Sequence, residues 1–234
     1  MNCVNIFQRS VLLGGLSTLT MGFALVAEVH TFSGLDVLVP DGNSSGVAET
    51  RLVSSPLTSL SSLSVSLSFT GADLDGMASG DLFVSLVHDT GFSVLLNRIG
   101  RTAMEPGGYL GTGLDVTLAD MAPNGDVHGH GQASLVGGIL TGQWAPDGRI
   151  TDPASVLDTD VRTALLGSFQ GVNPNGEWTL FLADLESGGV AKLTGWELEF
   201  TGASSPVPEA STWAALGVVA LAGLWQVRQH GRKA

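Results

Sequence analysis

The sequence predicts an all-β protein, an antiparallel β-sandwich of the jelly-roll type that lies between two apolar ends. Apolar and polar residues alternate with a period of two in several segments, which is typical of strands with one buried face. No segment between the two ends keeps a helical period. Gly, Ser, Thr, Asn and Pro fill the gaps between the alternating segments, as expected for short strands joined by turns.

The first strands are predicted in the middle of the chain. In Ser61–Gly71 the apolar residues alternate with serines, which predicts an outer strand with one dry and one wet face. Asp81–Asp89 and Gly91–Arg98 predict two strands joined at a short Asp-Thr-Gly turn. Residues 100–153 are rich in glycine, so we expect long loops there with one or two short strands, one of them at Gly113–Asp120.

The last two predicted strands are Glu177–Asp184 and Leu193–Thr201. The Ser-Gly-Gly sequence at 187–189 supplies turn residues between them, which predicts an antiparallel pair. Trp178 and Trp196 each continue the apolar face of a strand, so we interpret them as core residues rather than a binding platform. Outside the predicted strands only two aromatic residues are candidates for binding a carbohydrate, Tyr109 and Trp144.

The N-terminal end predicts an export signal. Arg9 and an acid-free start precede an apolar run at Val11–Ala27, which is the pattern of a cleaved signal peptide and its helix. Small residues at 22, 24 and 27 offer alternative cleavage points. A retained membrane anchor is the alternative, although the run is short for a span. The predicted organisation is residues 1–27 as signal peptide, 28–204 as the β domain and 205–234 as a tail.

The charge of the predicted β domain excludes one class of partner. Residues 28–204 contain 6 basic and 21 acidic residues, a net charge of −15. An acidic surface repels phosphates, and no basic patch is present to neutralise them, so we expect no nucleic-acid binding. The single cysteine, Cys3, precedes the apolar run and would leave with the signal peptide.

Residues Gly167–Gly202 resemble the C-terminal half of a P/Homo B domain, the module that follows the catalytic domain in proprotein convertases and some bacterial subtilisin-like proteases. The matching residues are Phe169, Gly171, Pro174, Asn175, Gly176, Trp178, Leu180, Asp184, Trp196, Leu198 and Phe200. Weaker similarity extends upstream to Leu35. The resemblance implies a β-sandwich fold and an association with serine-type peptidases, as an accessory to a catalytic domain.

The sequence predicts no catalytic site. The local segments of a Ser-His-Asp triad and of a nucleophile elbow are absent from it. One group of residues has the side chains of a zinc or copper site, namely Asp126, His128 and His130 in a glycine-rich segment. The alternative interpretation is an exposed polar loop.

A second metal hypothesis concerns calcium. Asp73, Asp75 and Asp81 lie close together in sequence, and oxygen-rich loops of this kind bind Ca²⁺, with Asp41 as a further ligand. The EF-hand pattern is not met, because Met77 and Val84 occupy two of its ligand positions. The alternative is that these carboxylates are solvated turn residues, in which case the protein has no cofactor.

The C-terminal tail predicts sorting at the membrane. A short apolar run at Trp213–Val227 is followed by basic residues, which predicts a short transmembrane helix with its C-terminus in the cytoplasm. The tail resembles the PEP-CTERM signal of Gram-negative bacteria, which an exosortase recognises and removes. The corresponding residues are Val207, Pro208, Glu209, Ala210, Trp213, Arg228 and Arg232. An unprocessed tail anchor is the alternative.

Together these features predict a non-catalytic protein exported across the inner membrane, held there transiently as an anchored precursor, and then placed at the cell surface or in the extracellular matrix. Its expected partners are the exosortase and, through the family's link to exopolysaccharide production, exopolysaccharide or other envelope proteins. A structural, adhesive or protein-binding role follows. The alternative is a peptidase-accessory, calcium-binding or carbohydrate-binding module.

Overall fold

The computed structural model describes residues 25–73, 76–131 and 135–204, which form ten strands in two sheets. Helical structure in these residues is confined to short 3₁₀ turns, so the all-β prediction is confirmed. The strands are β1 Leu25–Leu38, β2 Asn43–Val53, β3 Leu57–Gly71, β4 Leu82–His88, β5 Gly91–Asn97, β6 Gly113–Leu118, β7 Leu135–Val136, β8 Ile139–Trp144, β9 Gly176–Asp184 and β10 Ala191–Ser204.

The strands divide into a six-stranded sheet A, of order β1-β10-β3-β6-β8-β7, and a four-stranded sheet B, of order β2-β9-β4-β5. Neighbouring strands run antiparallel with one exception, since β6 and β8 pair in parallel from Gly113↔Ile139 to Leu118↔Trp144. A parallel pair needs a long crossover, and residues 119–138 provide it. The predicted antiparallel sheet therefore needs this one correction.

The apolar faces of the two sheets enclose a common core. Trp178 of sheet B lies 5.3 Å, between ring centroids, from Phe200 of sheet A. The side chains of Trp178 and Trp196 are 0% and 2% exposed, so their prediction as core residues is confirmed. The outward face of β3 carries the serines of the alternating segment, half-buried or exposed, while its leucines, valine and phenylalanine are buried.

The predicted pairing of the last two strands is wrong. β9 pairs with β2 and β4, which occupy both of its edges, and β10 pairs with β1 and β3 in the other sheet. The intervening residues 185–190 thus connect the two sheets instead of forming a hairpin. For the same reason β3 is an interior strand of sheet A, between β10 and β6, and not an edge strand.

The hairpin predicted in the middle of the chain is confirmed, because β4 and β5 pair antiparallel from Phe83↔Asn97 to His88↔Gly91. Asp89 opens the turn between them with a φ of 50°. The strand predicted at Gly113–Asp120 is present as β6. The glycine-rich region contains three strands rather than one or two, since β7 and β8 also form there.

Strand β1 begins at Leu25, before the predicted start of the β domain at Glu28. The predicted signal helix and the tail 205–234 lie outside the described residues. The same holds for the predicted sorting-motif residues Val207, Pro208, Glu209, Ala210, Trp213, Arg228 and Arg232. Within the described residues, no helix is long and apolar enough to cross a membrane.

Candidate functional site

Two groups of charged side chains lie beside sheet B, and the first is a buried ion network. It is centred on Asp147 and Arg149, whose side chains are 0% and 4% exposed. Their segment runs along the free edge of β5, where the N–H groups of Asp147 and Gly148 donate to Leu95 and Val94 at 3.0 and 2.8 Å. Because of this edge pairing, the ionisable side chains of Asp147 and Arg149 are buried.

The ring of His128 is the first partner of Asp147. Its Nδ1 lies 2.7 Å from Oδ2 of Asp147, and its Nε2 lies 2.9 Å from the carbonyl oxygen of Arg101. A carboxylate and a carbonyl both accept, so a ring that satisfies both is a doubly protonated imidazolium. Burial opposes this charge, but the hydrogen bond and the charge of Asp147 outweigh it and raise the pKa of His128.

Arg149 is the second partner. It donates from Nη1 to Oδ1 of Asp147 at 3.2 Å and from Nη2 to Oδ2 of Asp126 at 2.8 Å. Asp126 also accepts the backbone N–H of His128 at 3.0 Å through Oδ1, and lies 3.6 Å from Nε of Arg162. Two carboxylates, two guanidinium groups and one imidazolium thus hold the loop segments around 126–130 and 147–162 together.

The structure therefore brings together two of the three predicted transition-metal ligands, Asp126 and His128. Both ring nitrogens of His128 already face oxygen acceptors, which leaves no nitrogen lone pair for a metal ion. The ring of His130 packs against Tyr109 at 4.3 Å, and burial lowers its pKa. Across the described ranges, no three His, Cys, Asp or Glu side chains converge as metal ligands.

The second group is an acidic corner at the end of β9, where Asp184 is 1% exposed. Its Oδ1 has no hydrogen-bond partner among the described residues. Burial, and then the nearby charges of Asp81 and Asp41, raise the pKa of Asp184 to about 7. The carboxyl group is thus partly neutral at physiological pH, because both burial and the neighbouring carboxylates disfavour its charged form.

Arg98 neutralises part of this corner. Its buried guanidinium donates from Nε to the carbonyl oxygen of Gly80 at 2.9 Å and from Nη1 to Glu186 at 2.7 Å. Its Nη2 lies 3.7 Å from Oδ1 of Asp81. Burial raises the pKa of Asp81 more than the charge of Arg98 lowers it. Four carboxyl groups, those of Asp41, Asp81, Asp184 and Glu186, share the guanidinium of Arg98 at this corner.

The predicted calcium ligands in the described residues lie at two different places. Asp41 and Asp81 lie at the acidic corner, where Asp41 accepts the N–H of Gly188 at 3.1 Å. Asp73 lies in a turn, where it accepts the N–H of Gly76 at 3.0 Å, and Asp75 is outside the described residues. Calcium binding stays a prediction. The sequence pattern missed Asp184, although strand alternation places it on the same inward face as Trp178.

Arg98 also lines an open cleft of about 1020 Å³ on the outer side of sheet B. The rings of Phe83 and Phe181 form an edge-to-face pair in its wall, with centroids 6.2 Å apart. Further apolar lining comes from Pro106 and Leu110. Its described lining contains the carboxyl groups of Asp81, Asp152 and Glu186 and the guanidinium groups of Arg98 and Arg101. The cleft offers contact surface and a few polar groups.

The aromatic residues proposed for carbohydrate binding do not form an exposed row. Trp144 belongs to β8 and is 6% exposed, and its indole N–H donates to the carbonyl oxygen of Thr141 at 2.9 Å. Tyr109 packs its ring over Gly100 and against His130. Both rings therefore pack against neighbouring residues of the protein, His130 among them.

The described residues thus form a two-sheet β protein whose long loops are fixed by buried ion pairs. No family model matches the chain, and no curated protein matches it in sequence. Among solved structures, it is similar to a serine protease of Aeromonas sobria determined in complex with its chaperone. The identity is 16% and the TM-score 0.40. The match covers 78% of this chain, which spans only 28% of that one.

Proposed function

We propose that the protein is a non-catalytic, exported β-sandwich that a PEP-CTERM system delivers to the cell envelope or extracellular matrix, where it has a structural or binding role. The observation that carries the proposal is the internal pairing of the buried ion network. His128, Asp147 and Arg149 bond to one another and to backbone carbonyls. Groups paired in this way fix loops, and both ring nitrogens of His128 are engaged by oxygen acceptors.

The two ends of the sequence support the export part of this proposal. An apolar N-terminal run after Arg9 is typical of a secretory signal. The proline-containing segment around Pro208, the apolar run and the basic residues after it resemble a tail that an exosortase removes. The resemblance of Gly167–Gly202 to a P/Homo B domain supports a sandwich of the jelly-roll type. It also supports a role as an accessory to other proteins.

Mass spectrometry of the exported protein, from cells with and without an exosortase, tests the proposal. We expect the mature protein from competent cells to lack Trp213–Ala234, and the protein from deficient cells to retain it. Pro208→Ala is the matched variant, because it changes the sorting motif but leaves the apolar run intact. Retention of the tail in competent cells would contradict the sorting part.

The acidic corner favours a second candidate, a calcium-binding module. Asp184 has a buried oxygen that finds no hydrogen-bond partner in the described part of the chain, and the charges of Asp81 and Asp41 act on it. Binding would require these carboxylates to turn toward one ion. Calorimetric titration of the full chain with Ca²⁺, beside Asp184→Asn, tests this. Heat and a raised melting temperature in the native chain alone would support calcium, and their absence would remove it.

A further inference from the structure

The N-terminal strand β1 is attached to the protein differently from its neighbours. No residue of β1 is fully buried, whereas β10 beside it contributes five buried residues to the core. β1 pairs with β10 from Leu25↔Ala203 to Leu38↔Lys192, with a bulge between Ser33 and Val37. Its attachment therefore combines backbone hydrogen bonds at the sheet edge with half-buried apolar side chains, namely Val26, Phe32, Leu35 and Val37.

The side chains of β1 nevertheless fit its place specifically. Phe32 packs on Trp196, with ring centroids 4.7 Å apart. On the outer face the Thr31 hydroxyl donates to Glu197 at 2.6 Å. Lys192 pairs with Asp36 at 3.1 Å. The place beside β10 is thus complementary in shape and charge to the sequence of β1 itself.

The connection between β1 and β2 is short. Residues 39–42, with the sequence Val-Pro-Asp-Gly, lead from sheet A to sheet B. Pro40 cannot donate a hydrogen bond and limits the conformations of this link. Short, stiff links between packed elements favour the exchange of an element between two copies over its return onto the same copy.

We propose that β1 is an exchangeable strand, and that the β10 edge accepts the β1 of a second copy of this chain. The occupant is a second copy because the residues that meet β1 across the edge match this sequence. Reciprocal exchange gives a closed dimer, and successive exchange gives an open chain of copies. The inference deepens the proposed structural role and rests on it for its biological meaning.

Cysteine pairing between separate chains tests the proposal. Thr31→Cys and Glu197→Cys are placed in separate full chains, each with Cys3→Ser so that no native thiol remains. The two chains are mixed in denaturant, refolded together at high concentration and oxidised. Because Thr31 and Glu197 face each other across β1 and β10, exchange predicts a covalent dimer that reductant separates.

The matched control is Ser66→Cys with Thr117→Cys, a facing pair on the interior strands β3 and β6 whose hydroxyl oxygens lie 3.0 Å apart. We expect several-fold less dimer from this pair. Monomer alone, or equal dimer from both pairs, would overturn the proposal. The outcome does not depend on the exosortase, so it can fail while the mass of the exported protein still supports sorting.

Discussion

The imidazole Nδ1 of His128 lies 2.7 Å from the carboxylate of Asp147, and the two side chains are 1% and 0% exposed. Asp147 also meets the guanidinium of Arg149 and the N–H of Asn97. These donors take the place of water around the buried carboxylate. The pair joins the segment around His128 to the chain that runs along β5, so it fixes the loops that the sheets alone do not hold.

Asp147→Asn is expected to destabilise the protein by about 3–5 kcal/mol, because it leaves the buried His128 without its carboxylate partner and Arg149 with Asp126 as its remaining one. Urea unfolding followed by circular dichroism measures the loss. Asp115→Asn is the control, since Asp115 is exposed on sheet A, where its side chain accepts from the hydroxyl of Ser68. That change should cost less than about 1 kcal/mol. Equal losses would show that the buried pair has no special role.

The same pair makes stability depend on pH. The folded state raises the pKa of His128, so its contribution is fully present below the unfolded value of about 6.5. It is lost as the pH rises through the raised value. We expect Asp147→Asn to flatten this part of the profile, measured by urea unfolding between pH 5 and about pH 9. A profile unchanged by the substitution would assign the dependence to another group.

Asp184 predicts a second pH dependence in a lower window. Its pKa of about 7 lies above the unfolded value of 3.8, so the folded state holds a proton that the unfolded chain releases. Stability should fall as the pH rises from about 4 to about 7, by at most about 1.4 kcal/mol per unit. The other charged residues at the same corner as Asp184 are Asp81, Asp41, Glu186 and Arg98.

Asp184→Asn is expected to raise stability at pH 8 and to remove the decline between about pH 4 and pH 7, because an amide does not ionise. Melting temperatures across the pH range provide the measurement. Asp115→Asn serves again as the control and should retain the decline. If Asp184→Asn lowers stability at pH 8, the native carboxylate has a cationic partner that outweighs its burial.

The strands could be predicted from the sequence because alternation is local. From Leu63 to Phe69 in β3 and from Leu82 to Leu86 in β4, buried apolar residues recur at every second position. Strand partners are not local. β9 and β10 follow each other in sequence, yet each has both edges occupied by other strands. A six-residue connection permits a hairpin as readily as a crossing between sheets.

The candidate site was less predictable than the strands. Asp126 and His128 stood out because their residue types and spacing suggested metal ligands, but Asp147 lies 19 residues further along in a loop without any pattern. Its partners follow only from the pairing of residues 147–148 with β5. Asp184 had a local signal, an acidic residue on the inward face of a strand, and that signal marks a buried carboxyl group.

A glycine substitution tests the bulge at the start of β2. Gly46 has a φ of 55°, and a Cβ atom there would overlap the carbonyl oxygen of Leu182. Gly137 has a φ of 60°, with no atom within 4 Å of such a Cβ. Both alanine variants meet the left-handed strain, but only Gly46→Ala also displaces a neighbouring strand. We expect it to cost about 1–3 kcal/mol more in urea unfolding. Equal costs would show that the sheet yields easily.

The two core tryptophans provide a paired test of hydrogen bonding. The indole N–H of Trp178 donates to the carbonyl oxygen of Pro174 at 2.9 Å, whereas that of Trp196 is buried without a partner among the described residues. Trp178→Phe deprives a buried carbonyl of its donor, while Trp196→Phe removes a polar group that was already unsatisfied. Trp178 also stacks on His88, with centroids 4.0 Å apart.

We therefore expect Trp178→Phe to destabilise the protein by about 1–3 kcal/mol more than Trp196→Phe, although both changes remove the same atoms from the core. Urea unfolding followed by far-ultraviolet circular dichroism measures both, since fluorescence would change with the tryptophan content itself. A larger loss for Trp196→Phe would mean that its N–H has a partner, such as a buried water, and that the sheet A side of the core depends on it.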